Sequence, residues 1–270
     1  MKLGYMTNAF GPLVGCGGGV TSVKDIGYLT VCDDEEVIQA ISGVGFRYIE
    51  VLEGNLTKYA GNMGELKDLL AKYNMGMMSV CAGANFIYQD ALEDEMAHME
   101  RLARTAAEAG VAYICLCGGA IRAKGVRESD YTLLGKGLDL AKAIIESHGI
   151  KASYHPHLGS MAEQPDQIDK LFSQTGIDIC PDLAHLAAGG GDPLAIIKKY
   201  YDRISFVHLK DLDRNGFAAL GTGSIDIKGV IDFLKSKGYE GDYLVEVDAY
   251  PNDPVKACKI SYEYLKGFLI

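Results

Sequence analysis

The chain lacks any run of eighteen uninterrupted apolar residues, so nothing in it reads as a membrane-spanning helix. It is also short of positive charge, with 26 Lys and Arg against 36 Asp and Glu, a formal net charge of -10 and a pI near 5.1. A phosphate backbone would be repelled by such a surface, which argues against nucleic acid as a partner. The opening Met1-Lys2-Leu3-Gly4-Tyr5-Met6 has neither the apolar stretch nor the cleavage site of a signal peptide, so a cytoplasmic protein is expected. A disulfide framework is missing too. The cysteines number seven, and Cys81, Cys115, Cys117 and Cys180 lie inside apolar runs, as small buried thiols of a reducing compartment do. The Gly-rich stretch Gly15-Cys-Gly-Gly-Gly19 matches neither G-x-G-x-x-G nor the phosphate-binding loop with its Gly-Lys-Ser/Thr, which argues against a nucleotide cradle.

What is present is a strict alternation. Short β-type runs recur near residues 2–7, 47–52, 76–82, 112–117, 150–155, 177–182, 204–209 and 243–248. Between them lie segments with apolar residues at helical spacing: Glu35 to Val44, Met63 to Tyr73, Leu92 to Ala109, Tyr131 to His148, Gln167 to Ser173, Leu194 to Tyr201, Ile227 to Lys237 and Val255 to Phe268. Gly45, Gly110, Gly149 and Gly238 follow helical segments where a left-handed C-terminal cap belongs. Eight such units in 270 residues predict an α/β fold, a (β/α)8 TIM barrel, as one domain over residues 1–270. One connection is irregular: Asn8 to Cys32 emerges on the catalytic face and is expected to be a lid or an interface element.

Chemistry concentrates on the second half of the barrel. Four of the six histidines end apolar runs in Tyr154-His155-Pro156-His157, Asp182-Leu-Ala-His185 and Val207-His208, and a last run delivers Glu246. Residues two apart on a strand share a side, so His155 pairs with His157, His208 with Lys210 and Glu246 with Asp248. A lone histidine is more often a hydrogen-bonded structural residue, and a strand-end aspartate is commonly a helix N-cap. Four consecutive strands each ending in a metal-capable side chain point elsewhere: Asp182, His208, Glu246 and one of His155 and His157 would form a mixed N/O site for one divalent metal. Mn²⁺ is the first choice, and Co²⁺, Fe²⁺, Mg²⁺ and Zn²⁺ also suit; the lack of thiolates disfavours a structural zinc site. Such a metal can polarise a ketone and acidify the neighbouring C–H, leading to isomerisation, epimerisation or β-elimination. His157, His185 and Lys210 remain for proton transfer and hydroxyl binding, Lys210 having an ion pair with Asp211 as its alternative. Glu50 and Glu53, on and just past the second strand, are expected at the mouth as further ligands or hydroxyl acceptors.

These residues resemble the xylose-isomerase-like TIM barrels of sugar isomerases and epimerases, over essentially the whole chain. The pattern resembles that of inosose dehydratase and its relatives, through Tyr154-His155-Pro156-His157-Leu158-Gly159, Asp182-x-x-His185, His208-x-Lys210-Asp211, Gly221-x-Gly223-x-Ile225-Asp226 and Val245-Glu246. The resemblance implies a metal on His155 or its strand neighbour with Asp182, His208 and Glu246. Ketose 3-epimerases of this fold carry a glutamate where His155 stands and use two opposed glutamates; only Glu246 remains here, which favours elimination over simple epimerisation. Endonuclease IV shares the fold, but its trinuclear zinc site needs more ligands than this chain offers. Met1 to Gly11 together with Gly19-Val-Thr-Ser-Val-Lys-Asp25 is similar to the larger subunit of bacterial C-glycoside deglycosidases. That similarity implies a 3-oxo-glycoside substrate cleaved by metal-assisted elimination, a small β-type partner subunit and an oligomeric assembly. The expectation is therefore a metal-dependent lyase acting on an oxo-sugar, cleaving 3-oxo-C-glycosides with His157 or His155 as base. Inosose dehydration or sugar isomerisation at the same site is the alternative, and a non-catalytic sugar-binding or scaffold subunit is a third reading.

Overall fold

A computed structural model describes residues 1–15, 27–248, 250 and 253–270. Eight parallel strands, β1 (Leu3–Met6), β2 (Tyr48–Leu52), β3 (Gly76–Ala84), β4 (Tyr113–Gly118), β5 (Lys151–His155), β6 (Asp178–Ile179), β7 (Val207–Leu209) and β8 (Tyr243–Val245), pair in chain order, with β8 returning beside β1. Between β6 and β7 the ladder is reduced to the bridges Ile179–Ile204 and Asp182–His208, joined by Ser205 N–H to Ile179 O and His208 N–H to Pro181 O, both at 3.0 Å. The ring thus closes as a TIM barrel, the predicted class, and closes weakly at the edge where Asp182 and His208 sit.

Strand parity builds two cores. On β4, Tyr113 and Cys115 face the axis and pack with Met6, Leu52, Phe206 and Leu244, while Ile114 and Leu116 face the helical layer. The helices are α1 (Asp34–Val44), α2 (Glu53–Thr57), α3 (Met63–Lys72), α4 (Leu92–Ala109), α5 (Glu128–Ser147), α6 (Pro165–Phe172), α7 (Leu183–Ala188), α8 (Pro193–Lys199), α9 (Ile227–Ser236) and α10 (Pro254–Lys266). The glycines after α1, α4, α5 and α9 take positive φ, as their positions required: 131° at Gly45, 74° at Gly110, 78° at Gly149 and 74° at Gly238. No helix among the described residues is long and apolar enough to cross a membrane.

The α2 and α7 turns leave no helical period in the sequence, because five or six residues are too few to show one. Two antiparallel hairpins, Leu13–Gly15 with Tyr28–Thr30 and Asp211–Asp213 with Gly216–Ala218, rise from the loops after β1 and β7 in addition to the eight expected strands. The first belongs to the long Gly-rich connection. Most of that Gly-rich run, with Gly19 to Asp25 that carries the deglycosidase similarity, lies outside the described residues.

The expected alternative pairing of Lys210 with Asp211 is corrected here. Neighbours on a strand point to opposite faces, and Asp211 turns outward to accept the backbone N–H groups of Leu212 (2.8 Å), Gly221 (3.0 Å), Gly223 (2.9 Å) and Ile225 (3.1 Å). The glycine spacing follows from this wrapping: a Cβ on Gly223 would lie 2.2 Å from Asp211 Oδ1. Replacing Asp211 with alanine strands these donors, and the unfolding free energy measured by urea titration should fall by about 3 kcal/mol. An unchanged midpoint would show the loop to be self-supporting.

Candidate metal centre

Four strand ends converge above the inner core. His155 closes β5, Asp182 follows β6, His208 is central in β7 and Glu246 follows β8; one ligand atom from each lies within 4.8 Å of the others, and all four residues are buried. These are the four side chains expected from the sequence as metal ligands.

Asp182 shows how the local fold prepares the group. As the N-cap of α7 it accepts the His185 N–H at 2.8 Å through Oδ1. Its other oxygen, Oδ2, is buried without a hydrogen-bond partner. Cap and ligand, which the sequence presents as alternatives, are thus compatible, one oxygen for each. His208 places Nδ1 2.7 Å from Glu246 Oε2 and 4.0 Å from Asp182 Oδ2. Buried Nδ1 of His155 also lacks a partner. Orphaned acceptors cost about 1–3 kcal/mol each, and two imidazoles with two carboxylates form a donor set that a divalent transition metal satisfies. The residues fit such an ion.

Electrostatics within the cluster are uneven. Burial pushes the Asp182 carboxyl up to about 7 even though Lys210 opposes it. At Glu246 burial acts in the same direction, but Lys210 and His208 outweigh it and hold the carboxyl well below its usual range. Burial lowers the His155 imidazole far below its ordinary value, with His208 adding to the effect. His208 moves the other way, because Glu50 and Glu246 overcome its burial.

Around this core sit the groups expected to handle protons. Lys210 Nζ meets Asp248 Oδ1 at 2.6 Å, His185 Nε2 at 3.0 Å and Glu246 Oε1 at 3.1 Å, so each ammonium hydrogen has an acceptor. It is a fixed positive charge. His185 is buried, and burial and Lys210 both drive its imidazole to the neutral form. His157 packs against it with ring centroids 3.9 Å apart and planes tilted by 38°, and stands half-buried on the wall of a cavity of about 190 Å³ that His155, Asn8, Tyr28 and Asp248 also line. Nδ1 of His157 is 2.7 Å from the Leu158 carbonyl, which only accepts; Nδ1 therefore carries the proton and Nε2 presents its lone pair. Burial lowers the pKa of this ring, so it is neutral near pH 7. The Asp248 carboxyl, pushed up to about 6 by burial, adds a second polar wall, and Asn8 Nδ2 donates to it at 3.2 Å.

Two further expected residues sit outside the group of four. Glu50 is fully buried beneath His208, with Oε1 3.4 Å from Nε2, and has no surface to offer a substrate. Glu53 has turned into α2, where it accepts His98 Nε2 at 2.7 Å and the Tyr28 N–H at 3.2 Å. There it lines a second cavity, of about 210 Å³, with Tyr28, Gly83 and Cys117. The thiols also need correction: Cys115 and Cys180 lie with His155 and His208 in a second group whose atoms fall within 4.8 Å of one another, so sulfur is not absent from the neighbourhood. Their facing could have been read from β4 and β6 parity, since Cys180 is two residues before Asp182.

Comparison with known proteins follows the same lines. The pattern described as Xylose isomerase-like TIM barrel matches residues 38–267. Inosose dehydratase of Clostridium beijerinckii is 28% identical over 269 residues, covering 86% of this chain and 88% of that protein. The crystal structure of D-psicose 3-epimerase with D-tagatose from Clostridium cellulolyticum H10 superposes with TM-score 0.77 at 14% identity, covering 99% of this chain and 98% of that one. The crystal structure of the IOLI protein with a binding zinc atom gives 0.76 at 15% identity and covers 100% of both chains. At these identities the two structures speak to the fold alone.

Replacing Asp182 with asparagine keeps an oxygen for the α7 cap and puts an N–H where the free oxygen stood. Titration calorimetry should then detect no Mn²⁺ binding, while the metal-free protein unfolds at the same or higher denaturant concentration because a buried charge is gone. Retained Mn²⁺ affinity would remove Asp182 from the site.

Proposed function

Because the chain belongs to the xylose isomerase-like TIM barrel family, we propose that it is a divalent-metal-dependent lyase, one that removes the proton beside the ketone of an oxo-sugar or oxo-cyclitol and expels the β substituent. Dehydration of an inosose is the nearest named reaction, supported by the 28% identity to inosose dehydratase over most of both chains. An ion held by His155, Asp182, His208 and Glu246 would supply Lewis acidity toward the ketone and so acidify the adjacent C–H. Mn²⁺ remains the first choice, and the zinc of the IOLI crystal structure supports Zn²⁺ beside it.

The observation that carries the reading is the count of free bases at the cavity. Epimerisation needs a proton taken from one face and returned to the other, hence two groups able to exchange protons on opposite sides. Glu246 is committed to His208 and Lys210, and Asp248 to Lys210 and Asn8, whereas His157 lines the cavity with Nδ1 on the Leu158 carbonyl, which leaves Nε2 as its basic nitrogen. His157 takes the α proton, the C–H electron pair becomes the C=C bond, and the β C–O pair leaves with its oxygen. The imidazolium so formed is the nearest acid for that oxygen, and water is released. Lys210, with His185 behind it, keeps the site's negative charge balanced without itself giving up a proton.

Cleavage of a 3-oxo-C-glycoside is the second reading, with the aglycone in place of the hydroxyl. It is favoured by the hairpin that brings Leu13 and Tyr28 to the cavity wall, and by a second cavity of about 210 Å³ that shares Tyr28, Gly83 and Cys117 with the first. A leaving group larger than water has room there. A small β-type partner subunit belongs to this reading.

Metal-loaded protein incubated with an inosose, a 3-oxo-C-glucoside and a free ketohexose separates these readings by mass spectrometry. Loss of water from the first or release of aglycone from the second is expected, and His157→Gln should lower kcat by about 10²–10⁴ while metal affinity is kept. Interconversion of ketoses without elimination would return the protein to the isomerases, and binding without turnover would make it a scaffold.

A further inference from the structure

We infer that Glu50 is a positioning residue for the metal centre: its carboxylate holds His208 in the tautomer whose Nδ1 faces the ion. The inference rests on the reading of His208 as a ligand. Glu50 lies on β2, across the barrel interior from β7, with no exposed surface. Neither carboxylate oxygen makes a hydrogen bond, nor does His208 Nε2, yet Oε1 and Nε2 face each other at 3.4 Å. Three unpartnered buried atoms in one place are expensive, and a small closing of this gap satisfies an N–H and an acceptor together.

The geometry of the ring makes this contact consequential. Nδ1 of His208 points to Glu246 and Asp182, and Nε2 diverges from it toward Glu50, so the two nitrogens address different partners. A neutral imidazole has one N–H. An ion on Nδ1 requires the proton on Nε2, and the carboxylate behind Nε2 selects that form, fixes the ring plane and strengthens the ligand. Glu50 itself is outside the group of atoms that could share the ion. Its aim is set by backbone: between Ile49 and Glu50 the β2–β3 register shifts, their partners on β3 being Met77 and Ser79, so one extra residue on β3 bends the ladder beside Glu50.

The test uses full-length protein with Co²⁺ and Mn²⁺ as probes, in wild type, Glu50→Gln and Glu50→Leu. Gln keeps an acceptor without the charge; Leu keeps the volume and removes the acceptor. Affinity by titration calorimetry should fall in the order wild type, Gln, Leu, by about tenfold and then about a hundredfold. The visible spectrum of bound Co²⁺ should change in the Leu variant, one ion should still bind, and the metal-free unfolding midpoint should not fall in that order. Equal affinity in all three overturns the inference and leaves the metal reading standing. Loss of a second bound ion in the variants overturns it too, by making Glu50 a ligand, whereas failure of wild type to bind either metal removes both readings.

Discussion

Everything at this site follows from the gathering of four buried polar groups by strand parity. Because alternate residues of a barrel strand face the axis, the ends of β5 to β8 must place His155, Asp182, His208 and Glu246 in one small volume, with their ligand atoms within 4.8 Å. Two carboxylates and two imidazoles taken out of water destabilise the fold unless charge is compensated and donors and acceptors are matched. Lys210 supplies part of the compensation from the next inward position on the β7 run. A divalent ion bound by the four would supply the remainder, which would make the stability of this end of the barrel and its chemistry one problem with one solution.

The weak closure between β6 and β7 belongs to the same logic. Only two isolated bridges join these strands, one of them between Asp182 and His208 themselves. Where regular ladder ends, Asp182 is free to serve α7 with one oxygen and the cluster with the other. Around this, His155, His208 and Glu246 are buried on the wall of the cavity where His157 stands half-buried, and Glu50 is fully buried outside it.

The barrel was legible because its strands carry both of their periods in the sequence: residues 2–7 through 243–248 read as eight short β runs, and glycines such as Gly110 and Gly149 mark where helices stop. The metal-capable set was legible for the same reason, a period of two on strands whose ends are fixed by the fold. What the sequence does not carry is the identity of partners that lie beyond a local period. Glu53 lies beyond the strand, and its partner His98 comes from α4, 45 residues away. Glu50 is on the strand, but its depth depends on what covers it. Lys210 and Asp211 were readable, since adjacent strand residues diverge, and the Gly221-x-Gly223 spacing is the trace of the aspartate it wraps. The short α7 and the Asp211–Ala218 hairpin contain too few residues to impose a pattern.

The most direct test of the central claim is anomalous scattering from crystals soaked in Mn²⁺, recorded at the manganese edge. The account predicts one peak, about 2.0–2.3 Å from a nitrogen or oxygen of each of His155, Asp182, His208 and Glu246. No peak there, or an ion seated instead between Cys115 and Cys180, would contradict it.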